Sequence, residues 1–198
     1  GAALKQSGLV AAQLGIPLED TVGTLAAFAS NGLTGSDAGT SFKTMLQSLV
    51  PRSQEAADTM AKLGIEFFDA EGNFIGLQGA AAELRDSLEG LTQEQQAAAL
   101  KTIFGSDAVR AASVLYKQGA EGIEEWTGKV NDSGFAMGVA KTKLEGAKGT
   151  IDTFTAAWET FVLSIDKGDT AISKLALGGL RLLSESLLGL AGQGKDDT

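Results

Sequence analysis

Residues 31–42 read NGLTGSDAGTSF, and the fold class turns on what this stretch is. Glycines, hydroxyls and an aspartate side by side could cradle a phosphate. A phosphate loop of the Walker kind needs G-x-x-x-x-G-K-[ST] after a strand. Here Gly39 is followed by Thr40 instead of lysine, and the residues before Asn31 have helical spacing. Val22, Leu25, Ala26 and Ala29 recur at i, i+3, i+4 and i+7, and Phe42, Met45, Leu46 and Leu49 repeat the pattern on the far side. The stretch is therefore expected to be a corner between two helices. Asn31-Gly32 would close the first, Leu33 would enter the core, and Ser36 or Asp37 would cap the second. Gly39 would admit a neighbouring helix at close range.

Working outward, the rest of the chain is also helical in spacing. Ala56, Met60 and Leu63 form a looser stripe, as do Ala97, Leu100 and Phe104, and then Ile123, Trp126 and Val130. Helix boundaries fall between them. Gly64 follows one stripe, Ser53 stands three residues before Ala56 as a cap, and Thr92 with Gln95 makes a T-x-x-Q capping box. Asp107 is expected to help start the helix after Gly105.

One segment departs from the pattern. GIEFFDAEGNFIG, residues 64–76, has strand formers at Ile65, Phe67 and Phe68, turn chemistry from Asp69 to Asn73, and apolar residues again at Phe74 and Ile75. Gly72 can take a positive φ. The expectation is a short β-hairpin at about 65–75, packed on helices because a lone hairpin is marginal. A calcium loop would need D-x-[DN]-x-[DN]-G-x5-E. Here the glycine comes fourth and no glutamate follows in place, so a turn is the better reading.

Beyond residue 130 a different organisation is expected. Met137, Ala140, Leu144, Ala147, Ile151, Phe154, Trp158, Phe161 and Ile165 alternate spacings of three and four, a heptad seam. This predicts a long helix from about Phe135 to Lys167, roughly 50 Å at 1.5 Å per residue. A second helix over 172–190 would return antiparallel. The aromatics Phe154, Trp158 and Phe161 suggest a wide packed face, and homo-oligomer formation through these C-terminal helices is one expectation. Ala171 to Ala191 is apolar but carries Lys174, Arg181 and Glu185, too many charges for a membrane span. The expected fold is mainly α. A multi-helix compact domain with one hairpin occupies 1–130, a long helix plus antiparallel helix 131–191, and a flexible tail 192–198.

Composition narrows function by exclusion. The 198 residues contain no cysteine and no histidine, so thiolate chemistry and the commonest general base and metal ligand are missing. Acidic residues number 25 against 16 basic, a net charge of −9, the reverse of a nucleic-acid surface. Glu19/Asp20 and Glu124/Glu125 are carboxylate pairs, but sequence neighbours on a helix point apart and read as solvated faces. Trp126 and Trp158 fall on apolar stripes, as core or interface residues. No catalytic, cofactor or metal site is assigned. The missing initiator methionine suggests a piece excised from a longer protein.

Three stretches occurring in order carry a resemblance: the corner at Gly32–Thr40, LGIEFFDAEGNF at 63–74, and IFGSDAVRAASVL at 103–115. Together they resemble the core of phage tail tape measure proteins of the TP901-like family. Its pattern has a glycine-rich N-G stretch ending S-x-A-G-T, a D-x-x-G-N turn and an I-F-G helix start. The resemblance covers about Leu4 to Leu115. It maps the family pattern onto Gly32, Gly35, Ala38, Gly39 and Thr40, onto Asp69 and Gly72, and onto Phe104 and Gly105. It implies a structural virion protein, made in the bacterial cytoplasm and carried in the tail, that serves tail assembly, length determination and DNA ejection. Other tail proteins (tube, tip and assembly chaperones) are the implied partners, with no cofactor. A peptidoglycan hydrolase module, with Glu66, Glu83 or Glu145 as the acid, is one alternative. A helical adaptor or effector unrelated to phage is the other.

Overall fold

The computed structural model describes residues 2–132. Six helical elements follow one another: α1 (Ala2–Gln13), α2 (Leu18–Ser30), α3 (Gly35–Gln47), α4 (Gln54–Leu63), α5 (Gly76–Leu88) and α6 (Gln93–Asp132). Residues Ala2–Thr127 form one compact unit. The expected heptad seam, with Phe154, Trp158 and Phe161, and the last helix lie outside the described residues.

Three helices stop by the same device. After α1, α2 and α4 the chain takes a glycine at positive φ (Gly15, Gly32 and Gly64) and then a buried aliphatic residue (Ile16, Leu33 and Ile65). After α2 the Leu33 N–H donates to the Phe28 carbonyl at 2.9 Å and the Gly32 N–H to Ala29 at 3.0 Å. Those two bonds satisfy carbonyls that the helix leaves open, and only glycine reaches the required φ of 82° at Gly32 without a Cβ penalty. The following aliphatic side chain then anchors the stop in the core.

Helix starts follow the sequence in two cases and depart from it in a third. The Ser53 hydroxyl accepts from the Ala56 N–H at 3.0 Å. Thr92 and Gln95 exchange bonds, the Thr92 N–H donating to Gln95 Oε1 at 3.0 Å and the Gln95 N–H to Thr92 Oγ1 at 3.2 Å. The expected cap at Ser36 or Asp37 is not formed. α3 begins at Gly35, whose φ of 59° turns the chain into the helix, and Thr34 is the residue before it, with no side-chain cap bond. Ser36 and Asp37 thus lie inside the first turn, where Asp37 faces the helix dipole favourably.

The hairpin is also corrected. Among the described residues no strand forms; one antiparallel bridge joins Phe68 to Phe74. The turn itself is well made. Asp69 Oδ1 accepts from the N–H groups of Glu71 at 3.0 Å and Asn73 at 2.8 Å, and Gly72 has a φ of 84°. What is lacking is length. Ile75 bonds back to Phe67 at 3.0 Å, and α5 starts at the next residue, Gly76, so the returning arm ends before a ladder can grow.

α2 is the central helix. Every residue from Thr21 to Phe28 is buried, although its apolar stripe alone would cover one face. A helix enclosed on all sides needs small residues where neighbours press in. Gly23, Ala26 and Ala27 provide the small residues, and the Thr21 hydroxyl returns to the Pro17 carbonyl at 3.1 Å. α1 packs chiefly on α3. Phe42 on α3 meets Phe28 on α2 edge to face, centroids 5.2 Å apart, a favoured aromatic geometry.

α6 is not one rod. Gly105 (φ 75°, ψ 179°) and Gly119 (φ 65°, ψ −176°) break it into segments 93–104, 106–118 and 120–132. That region of backbone space belongs almost entirely to glycine. In the first segment Leu100 and Phe104 are buried as expected, while Ala97 is exposed and Ala99 and Ile103 complete the inner face.

Candidate functional site

The Asn31–Phe42 corner makes contacts to α1, α2 and α6. Gly32 closes α2, Gly35 opens α3, and Ala38 is buried. A Cβ built on Gly39 would stand 2.6 Å from the Ala3 α-carbon and 2.8 Å from its carbonyl oxygen. α1 therefore crosses α3 backbone to backbone at this point. Next to it the Thr40 hydroxyl donates to Gln6 Oε1 at 2.7 Å. Of the corner's polar side chains, Thr40 engages α1, while Thr34 and Ser36 are exposed.

The same corner grips the middle segment of α6. Ser41, fully buried, accepts from the Ala111 N–H at 3.1 Å across 70 residues of sequence. Arg110 and Asp37 pair at 3.6 Å on the surface, and Lys117 Nζ donates to Asn31 Oδ1 at 3.2 Å. Asn31 Nδ2 in turn donates to the Ala27 carbonyl at 2.8 Å. Arg85 of α5 donates to the Lys117 carbonyl at 3.2 Å, covering the end of that segment just before Gly119.

The turn motif reaches α6 from another direction. Phe67, buried, lies 6.2 Å from Phe104, the residue before the Gly105 break. Segment 103–115 thus touches both other motif stretches, through Phe104 to Phe67 and through Arg110 to Asp37, with the Ala111–Ser41 bond just beyond the corner motif. Asp69 and Gly72 sit on the exposed turn and shape it. The three stretches that stand apart in sequence are members of one core.

Two positions were not visible as special in the sequence. Gly23 faces Thr127, and a Cβ there would stand 2.6 Å from Thr127 Oγ1 and 2.7 Å from its α-carbon. Beside them Asp20 is half-buried and not on a solvated face as expected. Burial raises its carboxyl above the ordinary 3.8, the neighbouring Glu19 charge adds to that, and the nearby Thr127 side chain works against it. The only hint was position, since Asp20 directly precedes the buried run TVGTLAAF.

Of the carboxylates weighed as catalytic acids, Glu83 accepts from the Glu66 N–H at 3.0 Å and so holds the start of the turn segment. Glu145 lies outside the described residues. Among the described residues there is no group of three metal-ligating side chains, and no helix is long and apolar enough to cross a membrane.

The motif residues thus serve a helical core tied together by glycine contacts and caps. The family model for phage-related minor tail proteins matches residues 1–105, and the chain belongs to that family. The chain is 28% identical over 191 residues to a tape measure protein of Pneumococcus phage Dp-1, which covers 96% of this chain. It is 29% identical over 178 residues to a probable tape measure protein of Escherichia phage P2, covering 87% of this chain. It spans only 16% and 22% of the length of those two relatives. No solved structure matches it.

Proposed function

We propose that this chain is a structural segment of a tape measure protein, built into a phage or prophage tail, where it serves tail assembly, length determination and DNA ejection. The observation that carries the reading is the meeting of the three motif stretches in one core, within a chain aligned almost end to end with parts of two tape measure proteins. Residues up to about 130 act as its packed unit, and the sequence beyond supplies the heptad seam through which copies associate. Phe154, Trp158 and Phe161 are the residues of that seam placed to hold such an association. Tube, tip and assembly proteins of the tail are the partners. The role is read as structural, in keeping with the minor tail protein family, and Glu83 holds the Glu66 backbone.

The test is mass spectrometry of purified tail particles from a phage or induced prophage that encodes the chain. Peptides from residues 1–132 should be present in intact tails. Their absence from tails, with the protein still found in the lysate, would refute the assignment.

A further inference from the structure

We propose that the Arg52–Ser53 peptide bond is a processing site for an arginine-specific serine protease, and that the cut domain stays assembled as two chains. The proposal does not depend on the tail assignment. It rests on the connector between α3 and α4, residues 48–53. Val50, Pro51, Arg52 and Ser53 are exposed, Val50 to 60%. The bonds that end α3 stop at Leu49, whose N–H donates to the Leu46 carbonyl at 3.4 Å. Those that begin α4 start at Ser53, which accepts from the Ala56 N–H through its hydroxyl and from the Ala57 N–H through its carbonyl. Between them, Val50, Pro51 and Arg52 make no hydrogen bond or ion pair among the described residues. A protease must draw the residues around the bond out of their own structure and into its cleft. Just before this bond there is no hydrogen bond to break, and the nearest buried side chain on that side is Leu49.

The residue types suit that cleft. A carboxylate at the base of the specificity pocket receives an arginine guanidinium. Pro51 fixes its own φ near about −65° and pushes Val50 toward extended backbone, the form a substrate takes when bound. Ser53, on the far side of the bond, is already extended at φ −147° and ψ 160°. The other arginines among the described residues, Arg85 and Arg110, lie inside α5 and α6. Hydrolysis breaks the bond between the Arg52 carbonyl carbon and the Ser53 nitrogen. Water gives its hydroxyl to the carbon and a proton to the nitrogen, leaving a carboxylate and an ammonium.

The piece ending at Arg52 carries α1, α2 and α3. Contacts that the cut does not touch hold it to the remainder. They are the buried Ser41–Ala111 bond, the close packing of Gly23 on Thr127, the Asp37–Arg110 pair and the Lys117–Asn31 bond. To leave, the piece would have to expose α2, which is buried from Thr21 to Phe28.

Limited digestion of the full chain with an arginine-specific endoprotease tests both halves of the proposal. Cleavage after Arg52 should run at least about a hundredfold faster than after Arg85 or Arg110, since those require a helix to open first. Intact mass identifies the fragment that ends at Arg52. On native size exclusion it should elute with its complement at the radius of the uncut chain, and a denaturant should part the two. Arg52→Gln alters an exposed side chain and should abolish this cut with elution and circular dichroism unchanged. Cleavage after Arg85 or Arg110 at a rate comparable to that at Arg52 would overturn the site. So would a native chain that resists at Arg52 while the denatured chain is cut there. Separation of the fragments without denaturant would overturn the two-chain assembly.

Discussion

Gly39 and Ala3 approach so closely that a methyl group on the first would overlap the α-carbon of the second, 2.6 Å away. This contact joins α1 to α3, and it fixes what the glycine-rich corner is for. Gly32 and Gly39, seven residues apart, are glycine for different reasons. Gly32 needs a positive φ in open space, whereas Gly39 has helical backbone and no space.

The two reasons separate by mutation. Gly39→Ala should destabilise the domain by about 1–3 kcal/mol through overpacking, although alanine favours helix. Gly32→Asn should be tolerated, since asparagine visits left-handed backbone, while Gly39→Asn should be worse than Gly39→Ala. Urea denaturation of the three variants reads this directly. Stabilisation by Gly39→Ala would mean that α1 does not cross α3 at this residue.

Ser41 offers a second measurement. Its hydroxyl is the partner of a buried backbone N–H on Ala111. Ser41→Ala should cost about 1 kcal/mol, the net loss of one hydrogen bond, since the Ala111 N–H sits inside a helical segment with a carbonyl one turn back. Amide exchange at Ala111 should accelerate in that variant. Unchanged exchange there would show that the bond does not hold the α6 segment.

Asp20 gives the fold a pH signature. Its folded carboxyl titrates above the ordinary 3.8, chiefly through burial. The folded state then holds this proton more tightly than the unfolded chain does. Its stabilising contribution is full below pH 3.8 and is lost as the pH rises through the higher folded value. Asp20→Asn should therefore be more stable than the parent at neutral pH, with the advantage shrinking on acidification. Denaturation midpoints of both proteins across that range decide it, and an advantage that grows toward acid contradicts the assignment.

The capping box at Thr92 and Gln95 predicts a purely local effect. Thr92→Ala removes one bond and should cost about 1 kcal/mol, as N-cap losses do. Gln95→Ala removes the reciprocal bond, and the double variant should fall short of the sum because the two bonds support each other. Strict additivity, measured by thermal melts, would mean that the bonds form independently.

Much of this architecture was legible because it is written locally. The Gly64-Ile65 stop, the Ser53 cap and the Thr92–Gln95 box each need only a few adjacent residues. Gly39 was legible as a close approach because a glycine inside a helix calls for a reason. The errors have equally local causes. Phe67, Phe68, Phe74 and Ile75 are good strand formers, but α5 begins too soon after the turn for a ladder. Ser36 and Asp37 are good caps in the abstract, yet Gly35 already carries the turn into the helix. What stayed hidden is long-range. No spacing rule pairs Gly23 with Thr127 or Ser41 with Ala111, and a threonine-rich run such as TVGTLAAF gives no sign of being enclosed on all sides. The motif residues were found by their order along the chain, and their convergence on α6 appeared only in three dimensions.

The Ser41–Ala111 bond also has a consequence in time. A ribosome adds about 5–20 residues per second, so residue 111 emerges some 4–14 s after residue 41 across the 70 residues between them. For those seconds the nascent chain holds α1, α2 and α3 with an unfilled socket on α3. The part that completes it is still being synthesised. A chaperone that shields small-residue helix faces would have its work confined to that interval, and a rare-codon pause placed between the two residues would lengthen it.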